Sequence, residues 1–359
     1  MIKPRILLAL SGGVDSSVSA YLLKKQGYEF IAVTFKVYES FDYRNYPLNR
    51  GINDAIIIAE KLGIPYFVID ICNQFNDLVI RNFIDSYQKG QTPNPCSLCN
   101  YVIKWSKLIE LADIFDCEYV ATGHYASVNQ LNDRYYISIS SDVSKDQSFF
   151  LWRLSQDQLR RTIFPLSGYT KQIIKQMASE TGLTRIAQKQ ESYNICFIPD
   201  GDYRRFLDYH LGFNSSPNKK GYFISESEQI IGEYSGIWNY TVGQKRGIVK
   251  GNIEEHYVLE LDEKQNVIRI GKKESLYKNT LLLNPYNLMK YCILPQNIDL
   301  NAKLNYRGLI EKCTAEISSN GLKIKFENPV LAVAPGQSIA IYENNDLVGG
   351  GVVTAAFNS

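Results

Sequence analysis

Apolar and polar positions alternate in two different ways along this chain. Through residues 1–200, short continuous apolar runs are separated by stretches with helical spacing. Residues 5–10 read as a buried strand. Val14, Val18, Tyr21 and Leu22 then fall at i, i+4, i+7 and i+8, one face of a helix that Gly27 stops. Residues 30–35 are strand-like, 53–62 form a helix ended by Gly63 and Pro65, and 66–71 form a third strand. Helices over 75–87 and 102–115 and a strand over 118–122 follow. Strands alternating with helices predict a parallel sheet covered on both faces. After Asp200 the helical period fades. Segments 221–225, 229–232 and 257–261 alternate apolar and polar residues, and 280–357 reads as about six short strands punctuated by Asn320-Gly321, Pro335-Gly336 and Asn344-Asn345. The chain therefore predicts an α/β fold in three parts: a Rossmann-like parallel-sheet domain over 1–200, a small central α+β domain over 201–275, and a C-terminal β-barrel over 276–359.

Composition narrows the class. At 45% apolar and 21% charged residues, the 359-residue chain is that of a soluble globular protein, which excludes mainly disordered, collagen-like or coiled-coil classes. No apolar run reaches the ~18 residues of a membrane helix. The apolar stretch Ile6 to Leu10 leads into Ser-Gly-Gly with no cleavage site, so it predicts a first strand and no signal peptide. The net charge, 39 − 37 = +2, argues against an obligate nonspecific nucleic-acid binder. Seven cysteines spread from Cys72 to Cys313 do not make a secreted disulfide framework. A cytoplasmic chain with a few working thiols is expected.

The sharpest local signal is Ser11-Gly12-Gly13-Val14-Asp15-Ser16, directly between the first strand and the first helix. In an open α/β sheet ligands bind at this junction. Two glycines let backbone N–H groups approach a phosphate, the helix N-terminus adds partial positive charge, and the Ser11, Ser16 and Ser17 hydroxyls add donors. A purely structural turn capped by Asp15 or Ser16 is the alternative. There is no Gly-Lys-Ser/Thr and no GxGxxG, so neither a Walker A loop nor a dinucleotide site is indicated. Ala9 and Leu10 lead into the loop. Gly123 lies where a second sheet loop would face the same cleft, and Phe35 ends the second strand where an adenine ring could meet it.

Two cysteine segments follow. In Thr92-Pro93-Asn94-Pro95-Cys96-Ser97-Leu98-Cys99-Asn100, the prolines predict a non-helical approach and a helix starting after Asn100. That places Cys99 near a helix N-terminus, which favours thiolate, with Lys104 one turn in. In Asn194-Ile195-Cys196-Phe197-Ile198-Pro199-Asp200-Gly201-Asp202, Cys196 is flanked by apolar residues and a turn. A buried core cysteine is the alternative there.

SGGVDS resembles the loop of the PP-loop ATP pyrophosphatases. Together with TPNPCSLCN and its IKW, ATGHYA, SKDQSFFLW, ICFIPDGDYRRFL, YTVGQKRGI, APGQS and the terminal GGG, it makes the chain similar to the bacterial tRNA-specific 2-thiouridylase family along its whole length. The resemblance implies a PP-loop nucleotide domain that binds ATP with Mg²⁺ through Ala9 to Ser16, Phe35 and Gly123. It implies adenylation of the C2 oxygen of the wobble uridine of tRNA. It implies a persulfide on Cys196, supplied by a sulfur-relay donor protein or cysteine desulfurase. It implies Cys99 as nucleophile, a Cys99–Cys196 disulfide after turnover, and a thiol reductant to reopen it. Glu, Gln and Lys tRNAs are the implied acceptors. The implied tRNA contacts are Asn94, Pro95, Cys96, His124, Lys145, Asp146, Gln147, Asn305, Tyr306 and Gln337.

The chain also departs from the family pattern. Cys96 stands where some members carry Asp, and is assigned an auxiliary role. With Cys99 and Cys196 it is alternatively a reasonable ligand set for an iron–sulfur cluster. Phe35 replaces a Met, and the Asn-Trp that usually follows Met-Lys is missing from 36–50. Asn305-Tyr306-Arg307 replaces Arg-Tyr-Arg. Arg204, Arg205, Lys245 and Arg246 are candidate phosphate contacts or solvated surface charge. Cys72, Cys117, Cys292 and Cys313 read as packing. A PP-loop ligase for a small molecule and a silent RNA-binding module are the competing functions; the first does not need the two cysteines, the second does not need the loop.

Overall fold

The computed structural model describes residues 3–38, 50–188, 194–212, 220–248, 256–308 and 310–359. Much of the segment that departs from the family after the second strand lies outside them. The N-terminal part is built on a five-stranded parallel sheet. Its strands are β1 (Ile6–Ala9), β2 (Phe30–Lys36), β3 (Tyr66–Asp70), β4 (Tyr119–Ala121) and β7 (Thr162–Ile163), in the order β3-β2-β1-β4-β7. Central β1 alternates its faces, as a strand must. Ile6 and Leu8 pack with helix α1 (Val14–Lys25), α2 (Arg50–Leu62) and α5 (Lys171–Glu180), while Leu7 packs with Trp105, Leu108 and Leu111 on the other face. The parallel sheet covered on both sides is thus as the hydrophobic pattern predicts.

Two long helices carry π-helical turns. One, α3 (72–88), contains Asn76–Ile80; the other, α4 (95–114), contains Asn100–Trp105. Helix α4 corrects the expectation of a start after Asn100. It begins at Pro95, with the Asn94 side chain accepting from the Ser97 N–H at 3.2 Å. Proline in the first turn sacrifices an N–H that has no helical partner anyway, so it starts the helix rather than breaking it.

The central part is a four-stranded sheet, β10 (Tyr257–Asp262), β11 (Val267–Gly271), β8 (Lys220–Ile224) and β9 (Ile230–Ser235), in that order. The C-terminal part is a closed antiparallel barrel of β12 (Tyr277–Leu288), β13 (Leu300–Lys303), β14 (Ile310–Ser318), β15 (Gly321–Leu331), β16 (Ser338–Glu343) and β17 (Asp346–Phe357), with β12 pairing β17 to shut it.

A hairpin from the N-terminal part, β5 (Ser127–Leu131) and β6 (Arg134–Ser138), extends this sheet through β17, with Ser138 opposite Asp346. Arg134 donates to the carbonyls of Leu288 and Met289 at 2.7 and 2.8 Å. Beside this seam the buried Lys290 ammonium holds Glu343 at 2.5 Å and Asp346 at 2.7 Å. Burial alone would raise the Glu343 carboxyl, but the hydrogen bonds from Lys290 and Tyr291 outweigh it and hold it below the ordinary range. Its contribution to stability is therefore present above the unfolded carboxylate value and is lost as pH falls through the lower folded value. Lys290→Met is expected to destabilise the chain by about 3 kcal/mol, because two carboxylates lose their cation. Urea unfolding at neutral and at acidic pH checks this, and the deficit should shrink in acid.

Candidate active site

The loop after β1 is locked by close approach. Gly12 has φ +72°, and a Cβ there would lie 2.0 Å from the Gly51 carbonyl oxygen; one on Gly51 would lie 2.3 Å from that of Ser11. A Cβ on Gly123, just past β4, would lie 2.7 Å from the Ser16 nitrogen. Gly13 is extended and precedes α1 as its cap. The buried Ser17 hydroxyl donates to the Gly13 carbonyl at 2.6 Å, and that of Ser16 donates to the same oxygen at 3.1 Å. Both hydroxyls brace the loop through that oxygen, and Ser11 is the exposed hydroxyl of the three. The Leu10 N–H donates to Val33 at 2.9 Å, which continues the sheet past Ala9. Gly123→Ala is expected to push the loop off its register and destabilise the chain by about 1–3 kcal/mol, the cost of overpacking against backbone. Thermal unfolding measures it.

Asp15 is not a bare carboxylate. Lys171 Nζ lies 2.7 Å from each of its oxygens, and the Tyr125 hydroxyl donates to Oδ1 at 2.8 Å. Sequence reading missed Lys171, because a lysine opening an amphipathic helix after Thr170 carries no distinguishing signal. Gly51 was missed for a similar reason, lying just ahead of the predicted helix.

The cysteine segments meet in one aromatic cluster. Phe197, next to Cys196, packs against Phe75, Phe83 and Phe206 at 5.9, 5.3 and 5.4 Å, and Ile198 is buried among the same side chains with Cys99 and Ile103. These anchors leave Cys196 exposed, as is Cys96, while Cys99 is buried. A core position for Cys196 is thereby excluded. None of the seven cysteines is in a disulfide. Burial pushes the Cys99 thiol up to about 12, with Lys104 pulling the other way and Cys196 and Cys96 adding to the rise. The Cys96 thiol goes up to about 11, through the protein packed around it and then Cys196, with Lys104 opposing. The expected thiolate at a helix N-terminus is therefore corrected: Cys99 sits a full turn inside α4, away from the free N–H groups, where burial favours the thiol. The half-buried Tyr38, edge-on to Phe75, faces Cys196, and burial of its hydroxyl, then that thiol, raises the hydroxyl well above the ordinary tyrosine range.

The loop and the cysteines are contiguous. Gly123 abuts Ser16. His124 follows it, its ring 5.3 Å from that of Trp105 and its Nδ1 2.7 Å from the Thr122 hydroxyl. Burial, then the charge of Lys104, holds this imidazole neutral, and Lys104 in turn acts on Cys96 and Cys99. Phe35 packs between the core beneath the sheet and the cysteine cluster. Among the described residues no three His, Cys, Asp or Glu side chains are grouped to hold a metal ion.

The remaining candidates divide. Asp146 is buried and accepts from Ser140, from the Ser148 N–H and from the Ser148 hydroxyl at 2.6 Å, so its carboxylate organises the loop from inside. Gln147 is tied to the Tyr125 backbone at 2.8 and 3.1 Å, beside half-buried Lys145. The Asn94 side chain caps α4 and Pro95 is buried in it. Gln337 lies in the barrel loop that docks on the cysteine segment, where Thr92 N–H donates to Pro335 at 2.8 Å. Asn305 is exposed, and Tyr306 packs on Phe150 with centroids 4.7 Å apart. Arg204, Arg205, Lys245 and Arg246 are exposed on the central part. Cys292 is exposed too, so packing does not account for it.

Comparison with known proteins gives three family matches in series. They are the tRNA methyl transferase HUP domain over residues 4–200, the tRNA methyl transferase PRC-barrel domain over 204–272, and the aminomethyltransferase β-barrel domain over 278–353. Among individual proteins, the tRNA-specific 2-thiouridylase of Salinibacter ruber is 42% identical over 362 residues, covering 97% of this chain and 94% of that protein. Those of Amoebophilus asiaticus and Natranaerobius thermophilus are 39% and 38% identical, covering 99% of this chain and 97% and 99% of their own. At this identity over essentially its whole length, the chain belongs to the tRNA-specific 2-thiouridylase family.

Proposed function

We propose that this chain is a tRNA-uridine 2-sulfurtransferase that uses ATP to replace the C2 oxygen of the wobble uridine with sulfur. The observation that carries the reading is the junction just described, a phosphate-type loop joined through Gly123 and His124 to Trp105 on α4, the helix that carries Cys99. Adenylation needs the loop, and sulfur transfer needs the cysteines. Neither a small-molecule ligase nor a silent RNA-binding module needs both.

The uridine O2 attacks the α-phosphorus of ATP, and pyrophosphate leaves. This turns a poor leaving group into AMP. Backbone N–H groups at Gly12, Gly13 and the start of α1 are the donors for the phosphates. Mg²⁺, when bound with ATP, would supply charge neutralisation for the leaving pyrophosphate; Asp15, with part of its carboxylate open to solvent, is the residue that would hold it. Cys196, exposed on its anchored loop, accepts a persulfide sulfur from a relay donor. In one route the terminal sulfur attacks C2, AMP leaves, and Cys99 then attacks the Cys196 sulfur to free the thiouridine. In the other, Cys99 attacks first and releases hydrosulfide, which displaces AMP. Both end in a Cys99–Cys196 disulfide that a thiol reductant reopens. Cys99 loses its proton before attack, and the Lys104 charge favours that loss.

For RNA the reading assigns Asn305, Tyr306, Gln337, Lys145 and the exposed arginines, with the division 1–200 for ATP and catalysis, 201–275 for tRNA recognition and 276–359 for the barrel. Glu, Gln and Lys tRNAs are the expected acceptors, and the cytoplasm the expected compartment. No helix of the described residues is long and apolar enough to cross a membrane. Pyrophosphate release from ATP, measured with and without tRNA, tests the reading. Release stimulated by tRNA supports it, and release that ignores tRNA while following a small-molecule acceptor overturns it.

A further inference from the structure

Tyr38 carries a hydroxyl that its packing does not need. It stands two residues past β2, and its ring meets that of Phe75 in α3 edge-on, with centroids 5.3 Å apart and planes at 87°. It packs on the cluster that holds Cys99, Phe197 and Ile198, as does Ile195 beside Cys196. A phenylalanine would make the same ring contacts. Yet the hydroxyl oxygen is closed off from solvent and faces three sulfurs, that of Cys196 first, then those of Cys99 and Cys96. A hydroxyl in an apolar cluster is costly unless it is hydrogen-bonded. A neutral thiol is a weak acceptor, and an ionised sulfur is a strong one. Burial, then Cys196, raises the Tyr38 hydroxyl well above the ordinary tyrosine range, so it keeps its proton and stays a donor. Cys196 therefore has two sides, one open to solvent and one facing this hydroxyl.

We propose that the Tyr38 hydroxyl donates a hydrogen bond to the persulfide carried by Cys196 and so holds the loaded sulfur until the uridine is adenylated. The inference rests on the sulfur-transfer reading above and adds to it a residue in contact with the reacting atoms. In loading, the Cys196 thiolate attacks the outer sulfur of the donor's persulfide. The donor's S–S bond breaks, and its electron pair leaves on the donor's inner sulfur as a thiolate. A new S–S bond joins Cys196 Sγ to the transferred sulfur, which gives its proton to solvent more readily than a thiol does. The exchange consumes no oxidant and no reductant. The transferred sulfur then bears negative charge beside the aromatic side chains of Phe75, Phe83 and Phe197, where an unpaired anion is costly. The Tyr38 O–H offsets that cost without bringing a charge of its own.

The test is the loading equilibrium of Cys196 with glutathione persulfide, without ATP and without tRNA, in chains that carry Cys99→Ser so that no second thiol resolves the product. Peptide mass analysis gives the ratio of loaded to unloaded Cys196. Tyr38→Phe keeps the ring and removes the hydroxyl. Its loading ratio is expected to fall by about tenfold, while AMP release with ATP and tRNA stays within about twofold of the Tyr38 chain. Tyr38→Leu, which also lacks the hydroxyl, replaces the Phe variant should that one not fold. A loading ratio within about twofold of the Tyr38 chain overturns the proposal. Equal losses of loading and of AMP release overturn it as well, because they mark a structural role. Absence of any sulfur on Cys196 in the Tyr38 chain is a different result, and it overturns the sulfur-transfer reading itself.

Discussion

Cys196→Ser is expected to abolish 2-thiouridine formation, by about a thousandfold or more, while ATP-dependent AMP release continues at a measurable fraction of its rate. A serine oxygen cannot hold a persulfide sulfur, so the transfer has no donor. The adenylation step does not pass through Cys196. The substitution is also clean structurally. Cys196 is exposed, and the loop is held by Phe197 and Ile198 rather than by the thiol. Stability should therefore change by no more than about 0.5 kcal/mol, as for other surface substitutions. Nucleoside mass analysis and AMP quantification on the same reaction separate the two steps. Full thiolation by the variant contradicts the persulfide role.

Asp15→Ala is expected to remove both steps together, lowering AMP release and thiolation by about two to three orders of magnitude. Two effects add. The carboxylate that fits Mg²⁺ is lost from the first turn of α1, and Lys171, 10% exposed, loses its counter-ion. The second effect also predicts a destabilisation of about 3 kcal/mol. Thermal unfolding beside the AMP assay distinguishes the contributions, since Asp15→Asn should recover much of the stability without recovering AMP release. Unaltered AMP release by Asp15→Ala counts against the nucleotide site.

What was legible in the chain follows the range of the interactions involved. The parallel sheet and the barrel were readable because burial imposes a period on each strand, and the loop was readable because a strand-to-helix turn with Gly12 and Gly13 is local. The onset of α4 was misread because Pro95 acts as a breaker within a helix but as a starter at its first position. The β5–β6 hairpin was not seen at all. Ser127–Leu131 is largely polar, and its hairpin gains its place from β17, which arrives only with the last strand of the barrel. Lys171 is legible only once α5 is folded against α1. The charge of +2 pointed away from nucleic acid because it averages over the chain. Arg204, Arg205, Lys245 and Arg246 lie exposed on the central part, and a sum over the chain does not register where single charges sit. The thiol of Cys99 illustrates the same limit: position along a helix suggested a thiolate, and burial reverses it.

The central claim is that one chain couples ATP cleavage to sulfur transfer onto a tRNA uridine. It is tested most directly by incubating the chain with unmodified tRNA, ATP and a persulfide donor, then digesting the RNA to nucleosides for mass analysis. The account predicts 2-thiouridine at the wobble position, formed in step with AMP and absent when ATP is omitted. Thiouridine formed equally without ATP, or AMP released with tRNA and donor present but no sulfur in the anticodon, would contradict it.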